Sequence, residues 1–271
     1  MSILISHESP LQLLEQSLEY NDYQYVLPFF YDRYPEYKKF MDNYQGMKIL
    51  DNGLFEGEVP TIQELIKLIK VSNPTIFIPP DEWNDSISTL KNAKYWISLK
   101  KTGVLEPKLN LMVVLQGKTF SEIEQLYIQC VDLGYRHFAF NHSSIAYQNE
   151  VGSVEDPIEK ARIGRIQLVR RMWNKNIIKE HHWVHLLGAT DVTEFHYYNQ
   201  ALPGVVDSID TSNPIIKAIE EGLYTEQNFK TKSKSKMEQF FDLDIDKECL
   251  ENILSNINCF RNIVNKIKAS E

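Results

Sequence analysis

The chain has 271 residues, 43% of them hydrophobic and 24% charged, with a formal net charge of −8. This composition excludes a disordered polymer, a collagen-like chain and a disulfide scaffold, and the length suits one large α/β domain. The acidic balance argues against a protein that coats nucleic acid, while leaving room for a local basic patch.

In chain order, short apolar runs rich in β-formers alternate with helical patterns. Ile3–Ile5 is one candidate for an extra strand. Tyr25–Leu27 and Met47–Leu50 read as strands. Thr61–Lys70 reads as a helix with Ile62, Leu65, Ile66 and Ile69 on one face. Thr61 and Glu64 form its capping box. Thr75–Ile78 and Leu109–Leu115 are the next strands. Ser121–Leu133 is a helix in which Ser121 and Glu124 repeat the box spacing. The strand His137–Phe140 precedes a long basic helix, Glu159–Lys175. Then come the strand Trp183–Leu187, the helix Thr190–Asn199, the strand Val205–Ile209 and the helix Pro214–Gly222. The run KTKSKSK at 230–236 reads as a polar loop, and Glu248–Lys268 as an amphipathic closing helix.

The strands show little alternation, as expected of parallel strands covered on both faces. Seven strands and a candidate eighth, alternating with helices, point to an α/β fold of the (β/α)8 TIM-barrel type. No GxGxxG or GxxxxGK[ST] follows a strand, which removes the commonest nucleotide-binding reason for an open sheet. The expected division is a barrel domain over 1–225 and a basic loop with a closing helix over 226–271, packed on the barrel. Cys130, Cys249 and Cys259 stand far apart with no CxxC pair, so a cysteine-rich zinc site is excluded and a reducing, cytoplasmic compartment is expected. The opening MSILISHESPLQLLEQ lacks the pattern of a signal peptide, and no apolar run is long enough to span a membrane.

In a barrel of this type the strand C-termini form the active face. The residues standing there are polar: Asp51-Asn52-Gly53 after one strand, Asp81-Glu82 after the next, then Gln116-Gly117, Asn141-His142, Gly188 and Asp210. Any one of them can be a helix cap or turn residue. Together they suit a pocket that reads a guanine-like edge, because a carboxylate accepts from N–H groups and a glutamine donates to a carbonyl. Phe55 is placed to stack on such a ring. Two further carboxylates can divide nucleophile and acid/base roles.

These residues resemble a known family, in order along residues 47–214. Asp51-Asn52-Gly53-Leu54-Phe55 is similar to the Asp-Ser-Gly-Gly-Phe motif of tRNA-guanine transglycosylases. Ile78–Glu82 is similar to their strand ending in Asp-Glu. VVLQG at 113–117 resembles their Val-Gln-Gly, HLLG at 185–188 their Tyr-Leu-Met-Gly, and VDSIDT at 206–211 the strand that ends in their nucleophile. The resemblance implies a covalent exchange of guanine. It assigns the nucleophile to Asp210, with Asp207 as the less favoured rival, and the general acid/base to Asp51. Base recognition falls to Asp81, Gln116, Gly117, Phe55, Asn141 and Gly188. The family's zinc subdomain has no counterpart here, since 211–271 holds only Cys249 and Cys259 and no histidine. No metal or other cofactor is therefore expected.

That departure makes the chain most similar to the compact, zinc-less bacteriophage enzymes that insert 7-deazaguanine derivatives into DNA. The partners implied are DNA, single-stranded or with a flipped guanine, and a free 7-deazaguanine base, in the host cytoplasm for a viral protein. Transfer RNA as substrate, or a non-catalytic nucleic-acid-binding subunit, are the alternatives. Arg162, Arg165, Arg170 and Arg171 can share a broad face of the basic helix as phosphate contacts, against the plainer reading of an ordinary solvated helix. His181, His182 and His185 lie at and just inside the start of a strand and do not favour a metal site.

Overall fold

The computed structural model describes residues 2–54, 57, 60–152, 154–225, 228–233 and 235–265. Among the described residues there are eight strands: β1 (Leu4–His7), β2 (Gln24–Val26), β3 (Lys48–Leu50), β4 (Ile76–Phe77), β5 (Asn110–Val114), β6 (His137–Phe140), β7 (Trp183–Leu186) and β8 (Ser208–Thr211). They form one sheet in the order β1-β8-β7-β6-β5-β4-β3-β2. The neighbours β1–β8, β2–β3, β3–β4, β4–β5 and β5–β6 pair in parallel. Helices stand between successive strands, so the fold class is the expected (β/α)8 TIM-barrel type. The eighth strand is β1, close to Ile3–Ile5. Among the described residues no helix is long and apolar enough to cross a membrane.

Most strand positions are buried, and β2, β3, β4 and β8 are buried throughout, so apolar residues such as Tyr25, Val26, Ile49, Leu50, Ile76 and Phe77 follow one another without alternation, while Gln24, Lys48 and Asp210 are polar residues buried among them. The last strand departs from the sequence reading. Val205 and Val206 are buried but precede β8, and Val205 N–H bonds Leu202 O at 3.2 Å in a turn. Pairing with β1 begins only at Ser208, opposite Leu4, and places Asp210 within the strand opposite Ser6. Hydrophobicity there marks packing of the turn, and the strand itself is carried by Ser-Ile-Asp-Thr.

Two helix starts show how capping decides boundaries. Ile62–Ser72 has the expected reciprocal box, with Thr61 N donating to Glu64 Oε2 at 2.7 Å and Glu64 N donating to Thr61 Oγ1 at 3.3 Å. The helix Phe120–Leu133 corrects the expected Ser121–Glu124 box. Its cap is Thr119, whose Oγ1 accepts from Glu122 N at 3.2 Å. Glu124 is instead buried, bound by Arg171 and Lys175. The helix Ser86–Lys101 has no counterpart in the sequence reading. Its apolar residues form no clean stripe: Ile87 is 80% exposed, while Ala93 and Trp96 are buried.

The chain divides into two compact units, Tyr23–His185 and Met1–Asp22 with Leu186–Glu271. In the first, the helices Ile145–Glu150 and Pro157–Asn174 meet at Gly164, where any Cβ would overlap Tyr147. Glu124 ties Phe120–Leu133 to Pro157–Asn174 through Arg171 Nε at 2.7 Å and Lys175 Nζ at 2.9 Å. In the second, the closing helix Lys247–Asn265 buries Ile253, Ile257, Phe260 and Val264 and packs on Asn213–Glu221 and Thr193–Ala201. Arg261 on that helix donates to Tyr20 O at 2.6 Å and pairs with Asp22 at 3.1 Å, which fixes the segment after β1.

Candidate active site

In the unit Tyr23–His185, the polar residues after β3, β4, β5 and β6 are buried and bonded to one another. Asn52, two residues past β3 and next to Asp51, donates through Nδ2 to Pro79 O at 3.2 Å and to Asp81 Oδ1 at 2.7 Å. Gln116, two residues past β5, donates through Nε2 to Asp81 Oδ2 at 2.6 Å. Asn141, directly after β6, donates through Nδ2 to Gln116 Oε1 at 3.4 Å. Asp51 accepts from Tyr25 Oη at 3.1 Å and from Gly53 N at 3.2 Å. The Tyr25 ring lies parallel to that of His185, with centroids 6.1 Å apart.

The polarity of this chain is set by the backbone. Asn84 sits in the left-handed region at φ 55, and its N–H donates to Gln116 Oε1 at 3.0 Å. A backbone N–H cannot act as an acceptor, so the Gln116 carboxamide has one orientation, with Nε2 toward Asp81. Gln116 Oε1 in turn draws Asn141 Nδ2. The consequence is that Asn141 Oδ1 points elsewhere: it is buried and has no hydrogen-bond partner among the described residues. A buried unsatisfied acceptor costs about 1–3 kcal/mol, and in native structures such groups are few and call for a reason. Each Asp81 oxygen accepts one of these side-chain bonds and has a lone pair left for a further donor.

Burial pushes the Asp81 carboxyl up to about 6, with the nearby Asp51 charge adding to the rise, while the bonds from Gln116 and Asn52 oppose it. The carboxyl is thus close to half-ionised just below neutral pH, a setting suited to reading a ligand's N–H edge.

The other unit holds Asp210 and Gly188. Asp210 is buried in β8, and Gly188 N–H donates to both of its oxygens, at 3.2 Å each. Gly188 adopts φ 57, a conformation that glycine takes without the cost a side chain adds. Ala189 N donates to Asp210 O at 2.9 Å, so two successive amides fix this residue by side chain and backbone. Asp207 lies before the strand and is half-buried; its carbonyl accepts from Leu4 N at 2.9 Å.

The remaining expected residues fall as follows. Gly117 seats a helix: a Cβ there would stand 3.0 Å from Ile123 Cγ1 and 3.2 Å from Ile123 N. Phe55 lies outside the described residues. The four arginines do not form one solvent-facing row. Arg165 is 3% exposed, Arg171 is bonded to Glu124, and Arg162 lies 3.6 Å from Glu159, while Arg170 is exposed. His182 Nδ1 bonds the Tyr127 hydroxyl at 2.6 Å. Among the described residues no group of His, Cys, Asp and Glu could hold a metal ion. Sequence reasoning gave no role to Asn52, Asn84 or Tyr25. Asn52 was visible as a motif residue, but its bond to Asp81 spans 29 positions and has no local signature. Compared with known proteins, the chain matches no family model and no curated protein.

Proposed function

We propose that this protein is a pentosyltransferase that exchanges guanine in a polynucleotide for a 7-deazaguanine base. The observation that carries the reading is the buried Asn52–Asp81–Gln116–Asn141 chain. Its open capacity is two acceptor positions on Asp81, a second Gln116 N–H donor, and the Asn141 amide. An ionised Asp81 accepts from the N1–H and 2-amino group of guanine, and the spare Gln116 N–H donates to a ring carbonyl. A pyrimidine lacks that combined edge.

In this mechanism the Asp210 carboxylate attacks C1′ of the target nucleotide. The C1′–N9 bond breaks, and the leaving guanine takes a proton from Asp51. The sugar is held as an ester of Asp210. The incoming base then loses its N9 proton to the Asp51 carboxylate and attacks C1′, which releases Asp210 and restores both carboxyls. The reading requires Asp210, Asp51 and the Asp81 cluster to address one nucleotide. A target inside a duplex has to be flipped out or already single-stranded.

DNA is the proposed polymer, in the cytoplasm of a phage-infected host, because 211–271 has no histidine and only Cys249 and Cys259 for a tRNA-type zinc subdomain. Transfer RNA is the second reading. The test is incorporation of labelled guanine into single-stranded DNA, duplex DNA and bulk tRNA in parallel, with Asp210→Ala as control. Label in DNA that disappears in the variant is the expected result. Label only in tRNA would replace the polymer, and no label in any of them would remove the activity.

A further inference from the structure

The turn Glu82–Asp85 follows Asp81 directly, and hydrogen bonds hold it on both sides of Trp83. Glu82 N donates to Thr89 Oγ1 at 3.0 Å, and Asp85 N donates to Glu82 O at 3.0 Å. Asn84 N donates to Gln116 Oε1 at 3.0 Å, and Asn84 Oδ1 accepts from Ile145 N at 3.2 Å. Asp85 caps the helix Ser86–Lys101, accepting from Ile87 N and Ser88 N at 3.0 Å each. The Trp83 indole makes no hydrogen bond or ring contact among the described residues and is 40% exposed. The other tryptophans differ: Trp96 is 1% exposed, and Trp173 and Trp183 are half-buried.

Two more large apolar side chains are exposed on residues that this network holds, Ile87 at 80% and Ile145 at 42%. One set of hydrogen bonds therefore fixes both the base-reading Gln116 amide and the backbone that carries three exposed apolar residues. Apolar surface grouped beside a polar pocket marks a binding surface. Because the turn is already fixed, covering the indole costs little further ordering. Position supplies the occupant. The Trp83 Cα lies at most about 7 Å from that of Asp81, the span of two extended residues. Bases of one strand follow each other at about 3.4 Å. A strand that delivers its guanine to Asp81 thus brings an adjacent base within reach of the turn.

We propose that Trp83, together with Ile87 and Ile145, is a stacking platform for the base next to the exchanged guanine. A π face accepts any base, so the platform guides the strand without reading its sequence. This rests on the proposed function for the identity of the polymer, and on the bonds of the turn for the place of the indole.

The test is titration of single-stranded oligonucleotides holding one guanine, followed by tryptophan fluorescence and by anisotropy of a labelled strand. Wild type should show quenching on binding, and Trp83→Phe should lose the quenching while keeping most of the affinity. Trp83→Ala should lose affinity by at least about fivefold, the low end of one base–aromatic stack. The slope of log affinity against log salt should stay as in wild type, since the lost contact carries no charge. Abasic positions on both sides of the guanine should weaken wild type by the same factor and Trp83→Ala no further. Tyr95→Ala, an exposed aromatic further along the helix Ser86–Lys101, should leave affinity unchanged. Binding of free guanine should be equal in wild type and Trp83→Ala. Equal oligonucleotide affinity in Trp83→Ala, an abasic loss that is as large in Trp83→Ala as in wild type, or no oligonucleotide binding by wild type would each overturn the proposal. Self-association of wild type that Trp83→Ala abolishes, without quenching by the oligonucleotide, would assign the patch to a second copy of the chain and also overturn it. Absence of labelled-guanine exchange together with a Trp83-dependent loss on abasic strands would instead overturn the proposed activity and leave the platform standing.

Discussion

Gln116 donates its amide hydrogen to Asp81 across 2.6 Å, and the direction of that bond is fixed from the far side by the Asn84 backbone. A backbone amide in a left-handed turn thereby sets which face of two buried side-chain amides is donor and which is acceptor. Such preorganisation is what a base-reading site requires, since the choice between guanine and other bases is a choice of donor and acceptor order.

Asp81 gives the site a pH dependence with a definite sign. Its folded value of about 6 lies above the ordinary 3.8. The proton is therefore held more tightly in the folded state. The stability it contributes is complete below the ordinary value and is lost as pH rises through about 6, on the order of 3 kcal/mol. Urea denaturation at the two ends of that window should show wild type losing more stability than Asp81→Asn as pH rises. Parallel losses would contradict the assignment.

Ligand binding should run the opposite way. Only the ionised Asp81 accepts two N–H bonds, so guanine affinity should fall as pH drops below about 6. Calorimetric titration of guanine across this range checks it, and a flat profile would remove Asp81 as the base reader.

Asn141 Oδ1 is the unfilled acceptor of the chain. In the proposed site a donor of the bound base fills it. Asn141→Ala should weaken base binding about tenfold, the worth of one hydrogen bond of roughly 1–1.5 kcal/mol, with little effect on the fold. Equal affinity in the variant would make Oδ1 a structural oddity unrelated to the ligand.

Gly188 holds Asp210 from a φ of 57. Gly188→Ala places a side chain in that conformation, at a cost of about 1–2 kcal/mol. Thermal melting should record the loss. The exchange rate should fall further than guanine binding does, because the disturbed group is the proposed nucleophile. An unchanged rate would argue that the Gly188 amide has no part in placing Asp210.

Gly164 tests the packing account alone. A Cβ there would stand 2.6 Å from Tyr147 Cα, a backbone atom that cannot swing aside. Gly164→Ala should cost about 1–3 kcal/mol through overpacking. A melting temperature equal to wild type would show that the two helices separate more easily than their contact implies.

Much of the fold was legible because buried parallel strands announce themselves as short apolar runs, as at β3 and β6. Thr61 and Glu64 announced a helix start just as directly. The misreadings have physical causes. Val205 and Val206 are apolar for the sake of a turn, so β8 begins later than the hydrophobic run. Glu124 matched a capping spacing but serves as a buried partner for Arg171 and Lys175, and Thr119 caps instead. The helix Ser86–Lys101 lacks a regular apolar stripe and so left no period to read. At the site, strand-end position identified Asp51, Asp81, Gln116, Asn141, Gly188 and Asp210 as residues to watch. The bonds among them join residues 25 to 35 positions apart in the first unit, and no local pattern encodes those. The lysine run at 230–236 read as a loop and no helix or strand is assigned to its described residues, but the bonds from Thr231 and Ser233 to the helix Asn213–Glu221 have no local signature.

The central claim is that Asp210 becomes covalently joined to the sugar. Intact-mass measurement on protein denatured after incubation with a guanine-containing oligonucleotide tests it directly. The account predicts a protein–oligonucleotide adduct in wild type that is absent from Asp210→Ala and retained by Asp207→Ala. An adduct that persists in Asp210→Ala, or one that disappears only in Asp207→Ala, would contradict it.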